Sequence, residues 1–198
     1  DDGDPLTREL FAASLNEMAK IIECRHADQA LARNTAIDVA TGRYIAFLDG
    51  DDLWAQDWLI RSFEYLKDQP PHHIAHPNYN YYFDDRHGIF RMIDQESQEF
   101  DIDLLRMTNF WDCLCLCPAD IYRSIPFRAN DVTRGWEYED WCWNCDTVSA
   151  GMIHKVVPDT VLFKRRRTDS QCTRAAAMGA RIRTSPLLHY DNPIYRSV

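Results

Sequence analysis

The chain has no apolar run approaching the roughly 20 residues that a membrane-spanning helix requires, no low-complexity tract and no internal repeat. Those absences set aside a helical membrane protein and a solenoid. An excess of positive charge is also missing. The 22 Lys and Arg stand against 31 Asp and Glu, a formal net charge of −9, so no broad basic surface exists for general nucleic-acid binding. A secretory signal and an initiator Met are lacking, and the chain opens abruptly at Asp1-Asp2-Gly3. It reads as the inside of a longer protein. What remains is 45% apolar residues over 198 positions, enough for one domain, or one domain with a tail, around a substantial core.

A second tight cysteine pair is absent too. Cys142 and Cys145 have C-x-x-C spacing but lie among Trp141, Trp143 and Glu139-Asp140, and a structural zinc site usually needs two such pairs. The total of seven is odd, which does not suit a complete disulfide framework. Cys113, Cys115 and Cys117 alternate with leucines and would share one face of a strand. Free, buried thiols in a reducing compartment are expected. That places the protein in the cytoplasm, with the inner face of the membrane as a place of peripheral association.

The most informative feature present is Asp49-Gly50-Asp51-Asp52, directly behind the apolar run Tyr44-Ile45-Ala46-Phe47-Leu48. Three carboxylates within four residues at the end of a buried strand are costly unless a cation is held there. Their hard oxygens suit Mg²⁺, Mn²⁺ or Ca²⁺. Asp52 also reads as an N-cap for the helix that follows. A calcium loop of the EF-hand kind fails on position, because Trp54 stands where Gly is needed and Ile60 where the bidentate Glu belongs.

Along the chain, helical and extended patterns alternate. Leu10, Phe11, Leu15, Met18 and Ile22 recur at helical spacing. A second helix is expected over about 29–40, with Asp28 as cap and Thr41-Gly42 as exit. Trp54, Trp58, Leu59, Phe63 and Leu66 share one face of a third, which Pro70-Pro71 ends. Runs 79–83 and 89–93 flank Asp84-Asp85-Arg86-His87-Gly88 as a hairpin. A strand through the cysteines near Leu114, a helix over 136–148, and an extended run over 152–163 broken at Pro158-Asp159 complete the core. After Thr168 a peripheral arm is expected, with a helical stretch at 175–177.

The segments Ala32-Arg33-Asn34-Thr35-Ala36 and Ala40 to Asp52 together resemble the central block of family 2 glycosyltransferases with a GT-A fold. The opening Asp1-Asp2-Gly3 is similar to that family's acidic turn after its second strand, although Asp4 stands where Ser is common. Gly135-Trp136-Glu137-Tyr138-Glu139-Asp140-Trp141 resembles its late Glu-Asp motif, and Val157-Pro158-Asp159 its following strand. The resemblance covers roughly residues 1–167. It implies an α/β fold with a mixed, Rossmann-related sheet flanked by helices, with 168–198 as a C-terminal helical arm. The family's first strand and helix would precede Asp1. A late histidine that serves some members as metal ligand is replaced here by Lys164-Arg165-Arg166-Arg167, a run that would either neutralise a diphosphate or form a solvated basic edge.

The resemblance implies inverting transfer of a hexosyl-type sugar from a nucleotide diphosphate to the hydroxyl of a carbohydrate or lipid-linked acceptor, in polysaccharide or glycoconjugate synthesis. It implies a divalent cation, Mn²⁺ or Mg²⁺, on Asp51 with Asp49 sharing the metal or facing the ribose. Asp2 would contact the nucleobase, and Asp140 would be the general base with Glu139 as second choice. Arg33 is a candidate for the donor phosphates, or for pairing with Asp28 or Asp38. Trp111 and Trp136 fall near expected loops, where a ring could stack on an acceptor sugar. Two alternatives stand beside this. A phosphatase with an aspartyl nucleophile also follows a strand with Asp-x-Asp, but would want Gly-Thr where Asp52-Leu53 stands. A non-catalytic nucleotide-sugar binding domain is the other.

Overall fold

A computed structural model describes residues 5–14 and 19–188. Helix α1 (Pro5–Ser14) is followed by α2 (Gln29–Val39), whose N-cap Asp28 accepts from the Leu31 amide at 2.9 Å. Strand β1 (Tyr44–Ala46), the acidic turn, β2 (Leu53–Trp54) and α3 (Trp58–Leu66) come next. Then follow β3 (His73–Asp84), β4 (Gly88–Arg91), α4 (Ile102–Leu105), β5 (Leu116–Pro118) and α5 (Ala119–Ser124). Helix α6 (Glu139–Ser149), β6 (Ile153–Arg166) and α7 (Gln171–Ala177) close the order.

The strands form one mixed sheet in the order β1-β5-β3-β6-β2, with β4 added to β3 as the expected hairpin. Its spine is the parallel pair β3–β6, in register from His73 opposite Ile153 to Asp84 opposite Arg166. The register shifts between Pro77 and Tyr79. There Pro77 lacks an amide to donate, and Thr160 Oγ1 accepts from the Asn78 amide at 2.9 Å. On the other strand Asp159 takes φ 56°. The interruption expected at Pro158-Asp159 is thus a bulge inside one continuous strand.

Several elements differ from the sequence reading. Trp54 lies in β2, paired antiparallel with Leu162, and α3 starts only at Trp58 with Asp57 at its N-cap. Asp52 therefore caps no helix. Strand β1 is short, half-buried and at the sheet edge, where a fully buried strand was expected. Only Cys117 of the cysteine triplet is in a strand; Cys113 and Cys115 precede it in irregular chain, and all three are buried. The first helix is described to Ser14, whereas residues 19–26 are not helical.

Helix α6 is the packing centre. Trp143 is buried against Tyr122 and Phe127 and donates its indole N–H to the Ile125 carbonyl at 2.7 Å. Asn144 donates to the Trp111 carbonyl at 2.7 Å, and Trp111 stacks on His154 with centroids 4.1 Å apart. Cys142 and Cys145 are buried free thiols of this helix, in keeping with a small hydrophobe's role. Beyond β6, Leu187 is fully buried in the same core as Cys145 and Trp111. Ser185 donates to Asp146 at 2.7 Å.

Candidate active site

The cavity that matters opens where β1, β3 and β6 end. It has a volume of about 790 Å³ and is walled by the acidic turn, the end of β6, the start of α6 and one side of α7. A smaller hollow beside it, about 560 Å³, shares Arg33, Asp49 and Gly50. This is the carboxyl end of the parallel pair, the location the strand–turn–helix order leads one to expect.

Asp49 and Asp51 face this cavity from the turn, each about one-third exposed at 35% and 33%. Arg33 donates to Asp49 at 3.0 Å, and Arg167, itself half exposed, donates to Asp51 at 2.7 Å. Asp52 borders the same cavity but lies deeper. It is buried, accepts from the Arg165 amide at 2.7 Å and lies 3.4 Å from the Lys164 ammonium. Burial pushes the Asp52 carboxyl above the ordinary range, with Lys164 and the Arg165 amide opposing. Its work is to pin the turn to β6. Asp52→Ala is accordingly expected to lower stability by roughly 1–3 kcal/mol, since the Arg165 amide loses its partner; urea denaturation reads this directly, and an unchanged midpoint would contradict it.

Arg33 was expected either at the donor phosphates or paired with Asp28 or Asp38. Its guanidinium lines the cavity and pairs with Asp49 and Glu139, not with Asp28 or Asp38, while lying 5.6 Å from the Phe127 ring centre. The planar fork of arginine suits such a two-carboxylate clasp. Burial works against the charge, but the acidic neighbours hold the Arg33 pKa well above its ordinary value.

Glu139 and Asp140 begin α6, where the helix N-terminus favours negative charge. Tyr138 before them adopts φ 64°, a left-handed conformation that costs a residue with a β-carbon roughly 1–2 kcal/mol. The two acids then part. Glu139 is buried and accepts from Arg33, from Gln29 and, at 3.2 Å, from Asn130. Asp140 is half-buried on the cavity wall and accepts from the Trp141 amide at 2.7 Å. Desolvation first, and then the adjacent Glu139 charge, push the Asp140 carboxyl up to about 7 against the pull of Arg33 and Lys164. A carboxylate poised there is matched to proton abstraction near neutral pH.

Of the remaining candidates, Asp2 lies outside the described residues. Trp111 is buried, with only an edge on the cavity, and donates to the Ile93 carbonyl at 2.6 Å. Trp136 is half-buried with Arg183 and Arg134 over its ring. The basic run proves to be divided in its duties. Lys164 points in among carboxylates, Arg165 pairs with Asp84, Arg166 sits 4.2 Å from the Tyr82 ring centre, and Arg167 reaches Asp51.

One residue of the site, Asp112, escaped the sequence reading, and Lys164 was read there only as part of a basic run. Asp112 is buried beside Lys164 at 3.5 Å and accepts from Asn80 at 2.7 Å. It sits in irregular chain with no local pattern to mark it. Lys164 did leave a trace: Thr160 and Leu162, the alternate residues before it on β6, are both buried, so the next inward position carrying a lysine calls for a partner.

The α/β sheet thus carries a carboxylate-walled cavity at the carboxyl end of its parallel pair, where open α/β folds place their ligands. The chain belongs to glycosyl transferase family 2, whose model matches residues 1–125. It is similar to the succinoglycan biosynthesis protein ExoM of Rhizobium meliloti (strain 1021), at 36% identity over 67 residues, 32% of this chain and 22% of that protein. It is also similar to the putative teichuronic acid biosynthesis glycosyltransferase TuaG of Bacillus subtilis (strain 168), at 48% identity over 40 residues, 20% of this chain and 16% of that protein. The matched segments thus span less than a quarter of either relative. Among solved structures, S. aureus TarS 1-349 in complex with UDP superposes with a TM-score of 0.58 at 15% identity, over 81% of this chain and 47% of that one. That likeness is one of fold. Family membership displaces the phosphatase alternative. No helix among the described residues is long and apolar enough to cross a membrane.

Proposed function

We propose that this chain is the catalytic part of an inverting glycosyltransferase that moves a sugar from a nucleotide diphosphate to a carbohydrate or lipid-linked acceptor hydroxyl, in polysaccharide or glycoconjugate synthesis at the cytoplasmic face of the membrane. The observation that carries it is the placing of Asp140, a carboxylate with a raised pKa, in one cavity with the Asp49–Asp51 turn. Asp140 takes the acceptor's hydroxyl proton. The freed oxygen forms its bond to the anomeric carbon on one face while the bond from that carbon to the diphosphate oxygen breaks on the other. The nucleoside diphosphate leaves with the electron pair. Family membership supports this reading, as does the UDP with which TarS was solved.

The donor set fits a divalent ion. Asp49 and Asp51 bring hard oxygens to one cavity wall, and the cation now on Asp51 is a half-exposed arginine that exchange can displace. Among the described residues no group of three His, Cys, Asp or Glu side chains could hold a metal ion by itself, so the reading requires diphosphate oxygens and water as the other ligands. Asp51 and Asp49 would hold Mn²⁺ or Mg²⁺, and the ion would supply charge neutralisation for the leaving diphosphate. Arg166 and Arg167 line the same wall and would receive phosphate oxygens in bidentate fashion. Arg33 orients Asp49 and acts on the donor through it, and Asp2 remains the candidate for the nucleobase.

Thermal-shift screening against UDP, GDP, dTDP and CDP, with and without Mn²⁺, tests the binding half of this proposal. A ligand present at a hundredfold its Kd stabilises the native state by about 2.7 kcal/mol, so the cognate nucleotide should stand out. Asp51→Ala is expected to abolish the Mn²⁺-dependent part of that shift. Equal shifts in chelator and in Mn²⁺ would remove the metal from the proposal, and no shift with any nucleotide would favour a non-catalytic role.

A further inference from the structure

Lys164 is a cation of the site to which the proposed chemistry gives no task. Its side chain is 16% exposed, and its ammonium lies 3.4 Å from Asp52, 3.5 Å from Asp112 and 3.9 Å from Asp49. The three carboxylates come from separate pieces of chain: two from the turn after β1 and one from the loop before β5. Neighbours fix each of them. Asp52 accepts from the Arg165 amide, Asp112 from the Asn80 side chain and the Leu114 amide, and Asp49 from Arg33. Two buried carboxylates, Asp52 and Asp112, with the one-third-exposed Asp49 beside them, are strongly unfavourable without a positive charge between them. Burial disfavours the ammonium as well, yet Asp112, Asp49 and Asp52 together hold its pKa far above the ordinary value. For Asp112 burial works against ionisation, but Lys164 and the Asn80 hydrogen bond bring its pKa below the usual carboxylate range.

The arrangement is a side-chain cation, tethered to β6, set among three carboxylates at ion-pair distance. We propose that Lys164 is a positioning residue that serves as a resident cation: its ammonium gathers Asp49, Asp52 and Asp112 and so keeps the acidic turn from taking up a divalent ion until a diphosphate arrives. The inference rests on the reading of Asp49–Asp51 as the metal and diphosphate site. With Lys164 in place, Asp49 is already shared between two side-chain cations, and only Asp51 faces a partner, Arg167, exposed enough to exchange. Metal and donor should then bind as a coupled pair, each weak alone.

The test is Mn²⁺ titration of the full chain without nucleotide, reading free Mn²⁺ by electron paramagnetic resonance. Wild type is expected to bind weakly. Lys164→Gln leaves Asp49, Asp52 and Asp112 around an empty point lined by hard oxygens, and its Mn²⁺ affinity should rise roughly tenfold or more. Lys164→Arg should resemble wild type. The double variant Lys164→Gln/Asp112→Asn has the same net charge in the cluster as wild type, and its affinity should fall back towards the wild-type value. A lysine that merely packs would give a destabilised Lys164→Gln protein with unchanged Mn²⁺ affinity, and that result would overturn the proposal. If Lys164→Gln does not fold in chelator, millimolar Mn²⁺ during refolding should restore it; failure to do so counts equally against the idea. The parent reading fails on a different measurement, namely Mn²⁺-independent nucleotide binding by wild type. That outcome leaves the expected behaviour of Lys164→Gln as it stands.

Discussion

Replacing Asp140 by asparagine is expected to lower sugar transfer by roughly 10²–10⁴-fold while donor binding hardly changes. Asparagine keeps the size and the hydrogen bond from the Trp141 amide but cannot accept the acceptor's proton. The loss should appear in kcat and in kcat/KM alike, because the interaction removed is one made in the transition state. The raised pKa of about 7 adds a pH signature. The base works when deprotonated, so the wild-type rate should climb as pH rises through about 7, and the residual rate of Asp140→Asn should not show that limb. The charged groups acting on Asp140 are Glu139, Arg33 and Lys164, and loss of the limb in Asp140→Asn is what assigns it.

The same shift makes a statement about stability. An acid whose folded pKa lies above its unfolded value of about 4 loses native stability as pH climbs from that value to its folded pKa. The window here is about pH 4 to 7. Asp140→Asn removes the desolvated charge, so at pH 7.5 it should be at least as stable as wild type in urea. Lost activity in a protein of undiminished stability separates a chemical role from a structural one. Near wild-type transfer by Asp140→Asn would mean that the acceptor is activated elsewhere.

Glu139→Gln is a different experiment from the one its sequence position invites. As neighbours at the head of a helix, Glu139 and Asp140 look interchangeable in the sequence, and both were candidates for the base. Consecutive helical residues point about 100° apart, however, and here one carboxylate turns inward to three donors while the other meets the cavity. The order of the motifs could be read from residue types, because a turn of aspartates after an apolar strand and an acidic pair before a helix are local patterns. Which acid faces which way is set by tertiary contacts between α2 and α6. Asp52 shows the same limit. Its spacing suits a cap, but the β2–β6 pairing inserts two strand residues and delays α3 to Trp58. Strand content was legible where alternation was strong, as in the β3–β4 hairpin. It was overextended at the cysteines, where burial comes from packing against α5 and α6 and not from a sheet ladder. Asp112 could not be found from its neighbours at all, since its partners Lys164 and Asn80 lie 52 and 32 residues away.

Arg33→Met is expected to produce the largest stability loss of any single change at the site, about 3–5 kcal/mol, the usual consequence of stripping one partner from a buried ion pair. Methionine fills much of the aliphatic volume and keeps contact with Phe127, so the loss isolates the charge. It leaves Glu139, only 3% exposed, with Gln29 and Asn130 as neutral donors and no cation. If that is the cause, Arg33→Met/Glu139→Gln should recover much of the stability, because a neutral amide in the same place has no charge to strand; the double-mutant cycle in urea measures the coupling. Arg33→Lys should not rescue fully, since one ammonium cannot present a planar fork to Asp49 and Glu139 together. Activity gives the second readout. Arg33 ties the acidic turn, through Asp49, to the head of α6, through Glu139, and so sets the spacing between the carboxylates proposed to bind the donor and the proposed base. The double variant, although refolded, should therefore still transfer sugar poorly, with a weakened Mn²⁺-linked response to nucleotide. Full activity in the double variant would show that the clasp only stabilises the fold, and a loss below about 1 kcal/mol in Arg33→Met would show that the pair is no more than a surface contact.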